Sequence, residues 1–113
     1  MTHWQSDQCS IVLDESAQTA TFVGELGFPS QDQYQKFLKP LSDFLPGRTR
    51  VVLDFTQLIQ VNLNGLVALA RVMILARSLG ITLSILAKKE VDWHRSSLLQ
   101  LSRLGSTIKL ELL

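Results

Sequence analysis

The chain of 113 residues has one cysteine, no excess of either charge and no long apolar run. A single cysteine cannot form an internal disulfide, so nothing indicates an oxidising compartment. Eleven basic side chains nearly balance ten acidic ones, which gives no electrostatic reason to bind nucleic acid or an anionic membrane. The longest apolar stretch, residues 63–79, is too short and too polar for a bilayer span. Since the first ten residues also lack a secretory-signal pattern, we expect a cytoplasmic protein without membrane insertion or nucleic-acid partners.

Residues suited to metal or nucleophilic chemistry are equally sparse. His3, His94 and Cys9 lie far apart, so no metal-ligand spacing exists. We expect His3 in a frayed terminus, a structural or exposed role for His94, and Cys9 as a small core residue with no base nearby. No glycine-rich phosphate loop occurs. The sequence therefore predicts no catalytic site, no metal and no cofactor, and a small α/β enzyme is the least favoured interpretation.

The sequence does contain enough apolar material for one core, since 46% of its residues are hydrophobic and 19% are charged. No repeat or linker divides it, so it reads as a single domain. Apolar periodicity and turn residues predict the order β-β-α-β-α-β-α-β, which implies a sheet with parallel pairs and right-handed crossovers. The predicted strands are 9–14, 20–26, 50–55, 81–87 and 108–112, the helices are 30–45, 65–79 and 92–103, and the main loops are 57–64 and 88–92.

Single residues indicate where the helices begin and end. Ser30, with Gln33 three residues later, forms a capping box for the first helix. Pro40 should kink that helix or split it in two. Gly80 should end the second helix, and Asp92 can cap the third.

The middle of the sequence resembles the core of STAS domains, the family named for sulphate transporters and anti-sigma factor antagonists. Residues 51–54, Val-Val-Leu-Asp, match the family's strand, Gly65-Leu66 match its glycine-leucine pair, and Gly80 matches its helix-ending glycine. Upstream, residues 24–26 resemble a glycine-glutamate-leucine element. The resemblance covers about residues 9–112. It implies one STAS-like α/β domain over 1–113, with a central mixed β-sheet, helices packed mainly on one face, and a non-enzymatic, protein-binding function in bacterial signalling and transcription regulation.

The sequence departs from the family at its regulatory motif. The aspartate-serine-serine-glycine segment, whose second serine is phosphorylated in regulated members, falls on Asn62, Leu63, Asn64 and Gly65. Asparagine has no hydroxyl to modify, although Asn64 can still cap the helix. We therefore expect a constitutive docking surface in this segment, not a phosphorylation switch; modification of Thr56 in the adjacent loop stays open.

The helix predicted at 65–79 has two faces. One arc, formed by Leu69, Val72, Met73, Ala76 and Leu79 with Ala68 and Leu75 adjoining, should face the sheet. The opposite arc places apolar side chains between arginines. It is interpreted either as a partner-binding surface or as scattered surface hydrophobics. The predicted partner-binding residues are Leu63, Asn64, Leu66, Val67, Ala70, Arg71 and Ile74.

The resemblance implies an anti-sigma factor or serine kinase-like partner. The alternative is the ATPase of a lipid-transporting ABC system, to which some small STAS subunits attach. Asp54 and Thr56 are expected to organise the loop. Trp93 is either a partner anchor or a lid on the core. The partner's identity is open, as is a homodimer formed through unpaired strand edges.

Overall fold

Six strands form one sheet in the order in which they occur along the chain. The computed structural model describes residues 1–113. The first three strands pair antiparallel, and the third to sixth are successive parallel neighbours. The strands are β1 Thr2–Gln5, β2 Cys9–Asp14, β3 Thr19–Leu26, β4 Arg50–Val61, β5 Thr82–Ala87 and β6 Ile108–Leu112.

Helices connect the parallel strands. Helix α1 is Gln31–Phe44 and α2 is Leu63–Ser78; a π-helical turn, His94–Leu98, runs directly into the short helix α3, Leu99–Ser102. All three crossovers step across the sheet in the same direction, so right-handed connections place every helix on one face. The predicted α/β class, with a mixed sheet and helices on one face, is confirmed. None of the helices combines the length and the apolar content needed to cross a membrane.

The core lies between this face of the sheet and the helices. Alternate residues of β2 to β5 are buried there, and Phe22 of β3 packs edge-on against Phe55 of β4 with ring centroids 4.9 Å apart. From the helices, Tyr34, Leu69 and Met73 are fully buried against them. No helix covers the other face of the sheet.

Strand β1 was not expected, and the prediction of a frayed terminus around His3 is wrong. His3 pairs with Val12 of β2. The strand is anchored by Trp4, whose Nε1 donates to the carbonyl of Phe37, 2.8 Å away, and whose ring packs against the Phe37 ring. This contact joins residues 33 positions apart, so four residues of local pattern cannot reveal it.

Strand β4 is longer than predicted, and the prediction of a loop over residues 57–64 is wrong for residues 57–61. The strand continues to Val61 because β3 extends beside it, with Val23 opposite Gln57 and Leu26 opposite Val61. A register shift near Thr21 marks a bulge, and at this level Asp54 Oδ1 accepts from both the amide and the hydroxyl of Thr56, at 2.9 and 2.6 Å. Asp54 and Thr56 therefore organise a strand irregularity, not a loop.

The helix-end predictions had mixed outcomes. The cap at Ser30 is confirmed, because its Oγ accepts from the amide of Gln33. Gly80 is also confirmed: its φ is 74°, and the amides of Gly80 and Ile81 donate to Arg77 and Ala76 in a Schellman pattern.

One alternative for Pro40 and the cap predicted at Asp92 are not borne out. Helix α1 is not split in two at Pro40 but continues through it to Phe44. Pro40 removes only one backbone bond, and packing of Leu38 and Leu41 holds both halves of the helix on the core. Asp92 does not cap the third helix, because its Oδ1 accepts instead from the Arg95 guanidinium.

Candidate functional site

Asn62 controls the start of α2. Its Oδ1 accepts from the amide of Gly65 at 2.8 Å and from the buried hydroxyl of Tyr34 at 2.6 Å. Its Nδ2 donates to the carbonyl of Phe28 at 2.8 Å. One amide side chain therefore caps α2 and joins it to α1 and to the loop after β3.

Asn64 lies inside the first turn of α2, and the prediction that it caps the helix is wrong. Its Nδ2 donates to the carbonyl of Pro29 at 3.0 Å. The side chain of Gln31 donates back to the backbone carbonyl of Asn64 at 2.7 Å. The helix begins two residues earlier than expected, so Asn62 takes the capping position and Asn64 becomes a second tie to the loop before α1.

Gly65 occupies a position with no room for a side chain. A Cβ atom there would lie 2.4 Å from Val61 Cγ2 and 2.7 Å from the Tyr34 hydroxyl oxygen. The first turn of α2 therefore packs directly against the end of β4 and against α1, and the glycine permits that approach.

The exposed side of α2 carries four apolar residues and one arginine in a line, here called the α2 stripe: Leu63, Val67, Ala70, Arg71 and Ile74. The exposed fractions of Leu63, Val67 and Ile74 are 77%, 40% and 39%. Arg71 is exposed and Ala70 is half-buried, as are the other two predicted partner-binding residues, Leu66 and Asn64. The structure thus brings the predicted partner-binding residues together along one surface of a single helix.

The sheet-facing arc of α2 is largely as predicted. Its buried residues are Gly65, Ala68, Leu69, Val72, Met73 and Ala76. The prediction that Leu79 faces the sheet is wrong. Leu79 is 43% exposed, because the chain turns away there toward Gly80. Asp54 and Thr56 lie on β4 next to residues that face the helices, so they do not belong to the α2 stripe.

His94 and Trp93 form a contact that the sequence did not reveal. His94 is fully buried; its Nδ1 accepts from the amide of Lys88 and its Nε2 donates to the carbonyl of Leu58, both at 2.9 Å. Trp93 Nε1 donates to the carbonyl of Ile59 at 2.7 Å, and its ring packs edge-on against His94. The pair ties the end of β4 to the loop after β5, and the half-buried Trp93 ring packs against the core.

Burial favours the neutral forms of two groups, the Cys9 thiol and the Tyr34 hydroxyl. Burial raises the pKa of the Cys9 thiol to about 11, and Cys9 is only 3% exposed. Burial also raises the pKa of the Tyr34 hydroxyl. No group of three or more metal-ligating side chains occurs in the chain. The start of α2 presents hydrogen-bonded backbone and apolar surface, which suit noncovalent contact.

Neither a protein-family model nor a curated protein sequence matches the chain. Solved structures do match. The crystal structure of apo-SiaC from Pseudomonas aeruginosa superposes with a TM-score of 0.72 at 15% identity, over 99% of this chain and 98% of the other. A structure of the diguanylate cyclase SiaD in complex with its activator SiaC, from the same organism, matches with a TM-score of 0.72 at 16% identity and the same coverage. This chain therefore has an α/β fold similar to that of SiaC along its whole length.

Proposed function

We propose that this protein is a non-enzymatic regulatory domain that binds a signalling partner protein through the α2 stripe and the neighbouring 57–64 segment. The observation that carries the proposal is the exposure of Leu63, Val67 and Ile74 along one helix. Large apolar side chains aligned in this way, beside an arginine, have the composition of the centre of a protein interface.

The rigid attachment of α2 supports the proposal. The side chains of Asn62 and Asn64 fix the first turn to the loop before α1, and Gly65 seats it against β4. A surface already held in its binding conformation loses little conformational entropy when the partner docks.

The fold likeness to SiaC supports a class of partner. In the matched complex, SiaC is the activator of an enzyme, the diguanylate cyclase SiaD. By analogy, the partner here is an enzyme whose activity changes on binding. A serine kinase or anti-sigma factor belongs to this scheme, as implied by the STAS resemblance; an ABC ATPase is the alternative.

Binding through the α2 stripe is proposed to be constitutive. Asn64 has no hydroxyl, and its amide is engaged with Pro29. The hydroxyl of Thr56, the other position considered for modification, donates to Asp54. We therefore propose that partner binding does not depend on a phosphate at either residue.

The test is capture of the partner from native lysate by the immobilised protein, with identification by mass spectrometry. Ile74→Asp should abolish capture, because it replaces one of the three large exposed apolar side chains of the α2 stripe with a charge. Leu79→Asp is the matched control: it changes a similarly exposed residue at the carboxyl-terminal cap of α2, outside the α2 stripe, and should leave capture intact. Circular dichroism should be the same for all three proteins.

The identity of the captured protein separates the partner classes. A nucleotide cyclase, a kinase or a sigma regulator supports the signalling function, and an ABC ATPase supports the alternative. Equal capture by the wild type and Ile74→Asp would contradict docking through the α2 stripe.

A further inference from the structure

We propose that the partner's docking segment carries a carboxylate side chain that enters the groove between α1 and α2 and pairs with Arg71. The inference rests on the proposed function and specifies the chemistry of the partner. The groove has a volume of about 240 Å³. Its floor is apolar, formed by Leu38, Val72 and Leu75, and its polar rim includes Gln35, Ser42 and Arg71.

Arg71 is the one uncompensated charge of this groove. On α1, Lys36 pairs with Asp32 at 3.2 Å and Lys39 pairs with Asp43 at 2.7 Å, so those charges cancel. Helix α2 contains no acidic residue. The Arg71 side chain makes neither an ion pair nor a hydrogen bond within the chain, whereas that of Arg77 on the same helix donates to the carbonyl of Leu104.

The position of Arg71 connects the groove with the α2 stripe. Val67 lies one turn before it and Ile74 almost one turn after it on the same side of the helix. A partner segment lying along α2 can therefore cover both apolar residues and still reach the groove. A carboxylate matches the planar fork of the guanidinium, which can form two parallel hydrogen bonds with it, and the Gln35 amide and Ser42 hydroxyl line the same groove.

Charge also argues against a second copy of this chain as the occupant. In a symmetric dimer formed through α2, the second copy of α2 would face Arg71 and Arg77. That helix contains no carboxylate to pair with either arginine. A different protein with an acidic, amphipathic segment is the complementary partner.

The test uses displayed libraries of short random peptides, selected on the immobilised wild-type protein. Enriched peptides should contain Asp or Glu three or four residues from an apolar anchor. In fluorescence anisotropy, Arg71→Glu should lower the affinity for the best peptide by about ten-fold or more, because electrostatic attraction becomes repulsion. Lys109→Glu makes the same charge change on β6, away from the groove, and should have little effect.

A charge exchange keeps the test independent of any loss of folding. Replacing the peptide's acidic residue with Lys should restore binding to Arg71→Glu and weaken binding to the wild type. Enrichment without acidic residues, no enrichment at all, or equal affinity for Arg71→Glu and Lys109→Glu would each overturn the inference. If Ile74→Asp still abolishes peptide binding in the last case, the proposed function survives without the carboxylate; if it does not, both fall.

Discussion

At the scale of single residues, Asn62 uses both the oxygen and the nitrogen of its side-chain amide at the start of α2. Its oxygen accepts two hydrogen bonds, from Gly65 and Tyr34, while its nitrogen donates one to Phe28. An ionised carboxylate can only accept, so it cannot satisfy the carbonyl of Phe28. The network around the start of α2 therefore requires asparagine.

We expect Asn62→Asp to lower the free energy of unfolding by about 1–3 kcal/mol, because a carboxylate oxygen would face the Phe28 carbonyl without a proton between them. Negative charge at a helix start contributes only about 0.3–1 kcal/mol in the other direction. Urea denaturation at neutral pH measures the difference. Gln60→Glu, the same chemical change at an exposed site on β4, is the control. A variant as stable as the wild type would show that the Phe28 contact does not matter.

At the scale of elements, the placement of α2 depends on close packing at its first turn. Gly65→Ala should destabilise the protein by about 1–3 kcal/mol, because the added methyl overlaps Val61 and the Tyr34 hydroxyl. Helix propensity alone predicts the opposite, a gain of about 1 kcal/mol for alanine. The sign of the change in thermal unfolding therefore decides between packing and propensity.

The matched control for that experiment is Gly27→Ala. There the added Cβ meets only the side-chain oxygen of Gln8, at 3.3 Å, and a flexible side chain can move aside. Stability of Gly65→Ala equal to or above the wild type would mean that α2 shifts freely on β4. The rigid docking surface proposed for α2 would then lose its main support.

At the scale of the whole molecule, one surface contact attaches β1 to the turn after β2. The hydroxyl of Thr2 donates to Glu15 at 2.7 Å, and the amino terminus lies 3.0 Å from the same carboxylate. The Thr2 hydroxyl, then a backbone hydrogen bond and then the terminal ammonium hold the pKa of Glu15 at about 2, below its ordinary 4.5. Because the folded-state pKa is lowered, the contact stabilises the fold above the ordinary pKa and is lost as the pH falls through about 2.

Glu15→Gln should therefore remove part of the loss of stability on acidification between about pH 5 and pH 2. Denaturant unfolding across this range measures it, with Glu90→Gln, at an exposed carboxylate without an ion pair, as the control. If stability falls with pH in the same way for the two variants, the contact contributes nothing in solution. Many exposed ion pairs contribute nothing measurable.

The elements that were predicted correctly are those whose signal is local. Gly80 ends α2, Ser30 starts α1, and the sheet-facing arc of α2 follows the helical period. Each depends on residues within a turn or two, where propensity and periodicity act. The elements that were missed depend on distant partners: β1 on Trp4 reaching Phe37, and the last part of β4 on pairing with β3.

The candidate site divides in the same way. The exposed residues of the α2 stripe could be predicted, because amphipathic spacing alone separates Val67 and Ile74 from the buried Leu69 and Met73. The roles of Asn62 and Asn64 could not, because either residue can cap a helix. In the tertiary structure, contacts with Tyr34 and the Phe28 carbonyl hold the Asn62 side chain where it accepts from the Gly65 amide and so caps the helix.

The sequence by itself thus determined the α/β class, the order of most elements and the two faces of α2, since these follow from short-range apolar patterning. The tertiary structure decided which asparagine holds the helix, why Gly65 must be small, where His94 is buried and that Arg71 stands unpaired over a groove. Those properties depend on atoms that meet across about 30 positions of chain or more, where local preferences carry no information.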